Sequence, residues 1–333
     1  MRRGVAMLFT LVLLASIIAA GCGGPSAGGA KTIKVANYFA DDHPQNVALR
    51  EKFKPMVEAK TDLRVQIYGN SQLGAEKEFY DGVRNGTIEM GIPGMIMQAD
   101  IPKMGIPELP FIFKDLDHAN KVLKGPLGEE LTADLEREHG VKALAWSANG
   151  MRMFSSNKPL RRMGDFRGFR LRMPNIPNYI AFGKALGANV TPMPISEVFT
   201  ALEQGVVDGQ DNPIATLRAS GWYEVQSYVL ESNHMFSPNL YIINSGFWNR
   251  LSPREQEVIA EAAKESAAYE WDLLKKSIEE DKKFLKDQGI RFIVPDKRFR
   301  AAMEKAAEPI YQQFYREHPE TKDLIERIRR TSP

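Results

Sequence analysis

The chain is almost without cysteine: Cys22 is the only one in 333 residues. A single thiol excludes an internal disulfide framework and a cysteine-built metal site. An excess of one charge is also missing, with 44 Lys and Arg against 42 Asp and Glu. A nucleic-acid partner calls for a basic surplus, so none is expected. The five histidines, His43, His118, His139, His234 and His318, stand in no HExxH or other paired spacing, and no metal is expected. No GxSxG elbow and no GxxxxGK[ST] phosphate loop occurs, which removes two common enzyme signatures. No cofactor and no catalytic residue are expected. Beyond the first twenty residues no stretch is apolar enough to cross a membrane.

The one long apolar run stands at the start. Basic Met1-Arg2-Arg3 precedes the 16 apolar or small residues from Val5 to Ala20, fewer than the roughly 20 that a membrane span needs. Small residues Ala19-Ala20-Gly21 lead directly into Cys22. Residues 1–21 therefore read as a signal peptide. Residues 22–31, containing Gly23 to Ala30 (GGPSAGGA), have the composition of a flexible tether. Cleavage before Cys22 leaves 312 of the 333 residues and removes Arg2 and Arg3, so basic and acidic residues then balance at 42 each. That length is ample for two lobes with separate cores.

The stretch Gly168 to Pro213 is the most informative in the chain. Phe169 to Met173 reads as a short strand stopped by Pro174, Tyr179 to Leu186 as a helix stopped by Gly187, and Val190 to Met193 as a second strand. Glu197 to Gln204 follows as a helix and Val206 to Gly209 as a third strand. The pattern is β-α-β-α-β, that of a parallel sheet, and ligands of such sheets sit beyond the carboxyl ends of the strands. Arg172 lies at one such end and Asn212 just past another. An arginine and an amide aimed into one crevice suit a carboxylate, because a guanidinium holds two oxygens in parallel hydrogen bonds. Arg170, deeper in the strand, reads as solvated or salt-bridged.

An earlier unit repeats the pattern: a strand at Thr32 to Ala36, a helix over Gln45 to Lys60, a strand at Leu63 to Tyr68, a helix over Ala75 to Arg84 and a strand at Thr87 to Ile92. Helices over Asp117 to Lys124 and Gly128 to Glu138 and a strand at Val141 to Trp146 follow, with later strands at Val225 to Leu230 and Leu240 to Asn244. Ser252-Pro253-Arg254-Glu255 then combines a capping serine, a first-turn proline and a glutamate that completes a capping box. Nothing breaks this helix until Gly289, a length of about 54 Å at 1.5 Å per residue. Ile259, Ala263, Ala267, Leu274, Ile278 and Leu285 keep one face apolar. Such a helix lies across both lobes. The fold class is α/β: a two-lobed, periplasmic-binding-protein-like fold with a long helix spanning both lobes.

Several short motifs then point to a family. Ser71-Gln72-Leu73-Gly74, Leu109-Pro110-Phe111, Asn149-Gly150-Met151-Arg152, Arg172-Met173-Pro174-Asn175 and Thr191-Pro192-Met193-Pro194 run in order to Asp208-Gly209-Gln210-Asp211-Asn212-Pro213. From about Thr32 to Arg330 the chain resembles the solute-binding proteins of tripartite ATP-independent periplasmic (TRAP) transporters, of the dicarboxylate- and sialate-receptor type. The resemblance implies two α/β lobes that close over a small organic acid and a loaded receptor that docks on the TRAP permease membrane subunits. It implies Arg172 as the carboxylate clamp and Arg152 as a second pocket arginine. Asn212 and Asn175 become ligand-bonding amides, and Asn37 and Glu76 polar positions of the first lobe. Where sialate receptors place a pocket glutamate this chain has Gly94, so the stretch Gly94 to Met97 is expected to form an apolar far wall. Cys22 matches the lipobox cysteine of bacterial lipoproteins, which implies lipid attachment there and an extracytoplasmic receptor, in the periplasm or at the cell surface, anchored to the membrane.

The expected partition gives residues 31–149 plus 239–274 to lobe I and 150–238 plus 275–331 to lobe II. Two other readings remain open on the sequence. Glu76, Glu197 and Asp208 supply carboxylates for a glycoside hydrolase. A ligand-sensing lipoprotein without a transporter would use the same fold.

Overall fold

The computed structural model describes residues 31–332. The expected signal peptide, Cys22 and the expected tether up to residue 30 lie outside the described residues. Nine strands form one sheet: β1 (Thr32–Ala36), β2 (Arg64–Tyr68), β3 (Met90–Gly91), β4 (Val141–Ser156), β5 (Arg170–Met173), β6 (Asn189–Pro192), β7 (Gly209–Asn212), β8 (Tyr228–Asn244) and β9 (Arg291–Ile293). Their order is β2-β1-β3-β8-β4-β7-β5-β6, with β9 against β8. On one side β1 pairs in parallel with β2 and β3. On the other, β5 pairs in parallel with β6 and β7. Both expected β-α-β-α-β units are present, and in each the first strand lies in the middle. Between them run β4 and β8, antiparallel over nearly their whole length.

Those two strands depart from expectation. The sequence placed a strand at Val141 to Trp146 and two separate strands at Val225 to Leu230 and Leu240 to Asn244. The structure instead has a 16-residue and a 17-residue strand. The polar and proline residues between Glu231 and Pro238 are tolerated because the ladder slips there, between Ala148 and Gly150 and between Arg152 and Phe154. A bulge relieves the need for a donor at Pro238 and bends the strand. The third strand of the second unit also moves, from Val206–Gly209 to Gly209–Asn212. The backbone N–H groups of Val206 and Val207 are taken by the Ala201 carbonyl in the turn that ends the preceding helix, with Gly205 in the left-handed region. They cannot serve a strand as well. The expected helix over 128–138 divides into Pro126–Thr132 and Leu135–His139, and the helix over 45–60 carries a π segment at Leu49–Phe53.

The long helix spans Pro253–Asp287. Its capping box forms as expected: the Ser252 hydroxyl accepts from the Glu255 N–H at 3.2 Å, and Glu255 accepts from the Ser252 N–H at 2.6 Å. Its first half places Ile259, Ala263 and Ala267 in a core with Ile33, Val35, Val65 and Ile243. Its last turns place Leu285 in a second core with Val198, Leu202, Leu217 and Trp222. Trp271 and Leu274 sit between, in the layer that runs beneath β4 and β8. One helix therefore packs on both lobes. Truncating the buried Trp271 to alanine would cost about 3–5 kcal/mol. The final helix, Lys322–Arg330, returns to the first unit: the Ile328 carbonyl is 3.0 Å from His118 Nε2 and Arg327 pairs with Glu130 at 2.6 Å.

Candidate ligand-binding cleft

A cavity of about 670 Å³ opens between the two units at the carboxyl ends of their strands. Arg172 reaches it from β5, where it sits between Thr191 of β6 and Gln210 of β7. Pro174 stops β5, and Pro192 and Pro194 flank Met193, so the Met193 carbonyl is free to accept from the Arg172 guanidinium. Nε and Nη2 donate to it at 3.0 and 2.7 Å. Arg172 is 2 % exposed. Among the described residues it makes no ion pair. Burial, opposed by Asp211 and reinforced by Arg152, pushes its guanidinium down to about 10. It remains a cation at neutral pH, desolvated and lacking a counter-ion.

Arg152 differs in this respect. It lies on β4 next to Asp211 of β7, which it holds in a two-pronged pair, Nε to Oδ2 at 2.6 Å and Nη2 to Oδ1 at 3.0 Å. Nη2 also donates to the Asp211 carbonyl, and Nη1 to Ser237 Oγ at 3.2 Å. Burial opposes both charges, but Arg152 and His234 hold the Asp211 carboxyl well below the usual carboxylate range. Asp211 in turn raises the Arg152 guanidinium. His234 is 3.3 Å from Asp211 Oδ2, between the rings of Phe154 and Phe182. Arg152 is thus neutralised within the protein, and its charge is directed less at the cavity than that of Arg172.

The other expected residues separate. Asn212 lines the cavity, its Nδ2 donating to Gln210 Oε1 at 2.8 Å. Asn175 lines it from an exposed turn after Pro174. Glu76 lines it from the first turn of the helix Glu76–Asn85, accepting from the Gly94 N–H at 2.8 Å. Burial pushes the Glu76 carboxyl up to about 7, against the Gly94 N–H and the two arginines. Asn37 is not among the lining residues. Its amide turns inward, donating to Asn46 Oδ1 at 2.8 Å and accepting from the Phe39 N–H at 2.9 Å, where it fixes the turn after β1.

The far wall is mixed: Ile96 lines it, Met95 and Met97 are buried in the core, and Gly94 stands against Glu76 and the Tyr38 hydroxyl. Sequence reasoning also missed Glu108, Tyr38 and Tyr179, all of which line the cavity. Glu108 accepts from Tyr179 at 2.7 Å and from Gln98 at 2.8 Å, and burial pushes it up to about 8. Asn239 donates to the Tyr38 hydroxyl at 2.7 Å. Only Glu108 carried a sequence signal, since it stands immediately before the Leu109-Pro110-Phe111 motif.

No carboxylate pair for glycoside cleavage is assembled from the residues named for it. Glu197 is exposed, and Asp208 is tied to Arg170 by its backbone N–H and a guanidinium contact at 2.7 Å. Neither lines the cavity. The site offers a desolvated cation at one end and a mixed wall of hydroxyl, amide and carboxyl groups at the other. Such a cleft suits capture of a polar anion.

Comparisons with known proteins agree. A periplasmic protein of Escherichia coli named as binding 2,3-diketo-L-gulonate is 30 % identical over 307 residues, 91 % of this chain and 93 % of its own. A TRAP periplasmic solute-binding protein of Haemophilus influenzae, solved with bound L-gulonate, superposes with a TM-score of 0.87 at 41 % identity, over 90 % of this chain and 98 % of that one. A sugar acid binding protein of Advenella mimigardefordensis, solved with galactonate, gives 0.86 at 29 % identity, over 90 % and 97 %. Residues 35–318 match the bacterial extracellular solute-binding proteins of family 7, and the chain belongs to that family.

Proposed function

We propose that this protein is the receptor of a TRAP transporter for a six-carbon sugar acid, captured between the two lobes and delivered to the membrane permease. The observation that carries the reading is Arg172: a buried cation that makes no ion pair among the described residues, facing a cleft whose opposite wall presents hydroxyls, amides and carboxyls. A carboxylate supplies the missing charge in a two-pronged contact with this guanidinium. Asn212 and Asn175 bond the same end of the solute, and Arg152, held by Asp211, donates to it from the side. Glu76 and Tyr38 take the hydroxyls of the chain. Succinate lacks those hydroxyls, and the second carboxylate of any C4-dicarboxylate would face Glu76 and Glu108. The gulonate and galactonate bound by the similar structures support this choice.

The lobes of this reading are residues 31–149 plus 239–274 and residues 150–238 plus 275–331, the last helix of the second resting on His118 and Glu130 of the first, and they close by a hinge. Cys22 carries the lipid that anchors the receptor outside the cytoplasm, after removal of residues 1–21. Titration calorimetry with L-gulonate, D-galactonate and D-glucuronate, against succinate and neutral glucose, tests the ligand class. Binding of at least one sugar acid is expected, with succinate and glucose far weaker; equal binding of glucose would overturn it. Detergent partition of the native protein and of Cys22→Ser tests the anchor, which requires that only the native form enter the detergent phase.

A further inference from the structure

Tyr179 and Glu108 meet across the cleft. Tyr179 belongs to the helix Pro177–Ala185 between β5 and β6, in the second unit. Glu108 ends the 3-10 turn Pro102–Glu108, which follows β3 of the first unit. The Tyr179 hydroxyl donates to Glu108 Oε1 at 2.7 Å, and the neighbouring Asn178 donates to the Gly105 carbonyl at 2.9 Å. Both Tyr179 and Glu108 are 1 % exposed. The Tyr179 ring also lies 4.7 Å from the Arg152 guanidinium. Among the described residues Glu108 has no ion pair.

We propose that the Tyr179 hydroxyl and the Glu108 carboxyl form a latch that holds the lobes shut over the solute, making both of them positioning residues that act through Arg152. The proposal rests on the sugar-acid reading given above. A hydrogen bond made only in the closed form shifts the opening equilibrium towards closure, so its loss appears chiefly as faster release. The latch also explains why an acid is buried here without a cation. Closing strips water from Glu108, which then faces Tyr179 and Gln98 directly and Glu76 and Arg152 at longer range, and burial favours the protonated carboxyl. The neutral form stays closed; as pH rises through about 8 the carboxyl ionises and closure weakens.

The test uses the full receptor, L-gulonate, calorimetry and stopped-flow release. Tyr179→Phe keeps the ring under Arg152 and removes the donor. It should weaken binding about tenfold, mostly through faster release, with the melting point of the empty form unchanged. Glu108→Gln still accepts from Tyr179, so it should retain most affinity at pH 7. It should also flatten the decline in affinity between pH 7 and about 8, while the decline below pH 7 to which Glu76 contributes persists. The double variant should be no weaker than Tyr179→Phe alone, because Glu108→Gln alters only the acceptor of a donor that is already gone. Wild-type release rates in Tyr179→Phe, or a double variant clearly weaker than Tyr179→Phe, would overturn the latch alone. A wild-type receptor that binds no sugar acid would overturn the ligand reading on which the latch rests.

Discussion

Arg152 Nε lies 2.6 Å from Asp211 Oδ2, whereas Arg172 donates to the Met193 carbonyl and makes no ion pair among the described residues. Two arginines reach one cleft, and only one of them brings its own counter-ion.

Replacing Arg172 therefore separates binding from stability. Arg172→Ala removes the cation proposed to pair with the solute, an expected loss of about 2–5 kcal/mol, or roughly 30-fold to several thousand-fold in affinity. Arg172→Lys keeps the charge without the two-pronged geometry and recovers only part. The empty form should melt no lower in Arg172→Ala than in wild type, because an uncompensated buried charge is removed. Calorimetry beside melting curves of the empty protein checks this; near-normal affinity would place the solute elsewhere.

Arg152→Ala should behave in the opposite way. It strands Asp211 in a site where that carboxylate is fully buried, and breaking a buried pair from one side costs about 3–5 kcal/mol. The empty form should lose several degrees of melting temperature. Adding Asp211→Asn to Arg152→Ala should restore much of the loss, since no charge is then left alone. An Arg152→Ala protein as stable as wild type would mean that the pair does not hold β4 to β7.

The pH dependence of stability should carry a contribution from Glu270. This residue lies at the middle of the long helix, wholly buried. One carboxyl oxygen accepts from the Ala148 N–H at 3.1 Å, and the other has no hydrogen-bond partner among the described residues. Burial pushes it up to about 8 from the usual 4.5. The folded form thus holds a proton that the unfolded chain has released. The corresponding stability is complete below pH 4.5 and is lost progressively as pH rises through about 8. Glu270→Gln keeps the acceptor and cannot ionise. Its melting temperature should fall less than that of wild type between pH 5 and 8 in scanning calorimetry; parallel curves would exclude this account.

Gly209 should tolerate no side chain. A Cβ there would press on the Ser155 carbonyl and on the Phe169 ring, at the point where β7 joins β4. Gly209→Ala should cost about 1–3 kcal/mol of stability. Because Asp211 and Asn212 follow on the same strand, affinity for the solute should fall as well. Chemical denaturation and calorimetry on one sample read both effects.

What was legible in the sequence follows from how local each signal is. The capping box at Ser252, the apolar stripe behind it and the stop at Pro174 act over a few residues, so the long helix and β5 were found where they stand. Arg172 was legible for the same reason, as a charge at a strand end. The middle of β8 was not, because its polar residues are satisfied by a partner strand about 80 residues earlier in the chain, through slips that leave no local mark. Glu108, Tyr38 and Tyr179 escaped because a 3-10 turn, a loop and a helix place them in the cleft only when the two units meet. Asn37 fell on a plausible position, but Asn46, nine residues on, draws its amide inward.

The strand order has a consequence for taking the molecule apart. In the sheet β8 stands between β3 and β4, although it is made about ninety residues after β4 in the chain. A fragment ending near residue 150 would hold β3 and β4 with nothing to join them. It would expose a long unpaired edge on β4, the template on which chains aggregate. Neither lobe can be excised and expressed as a module. The receptor can pass to another transporter, or be rebuilt for another solute, only as a whole chain.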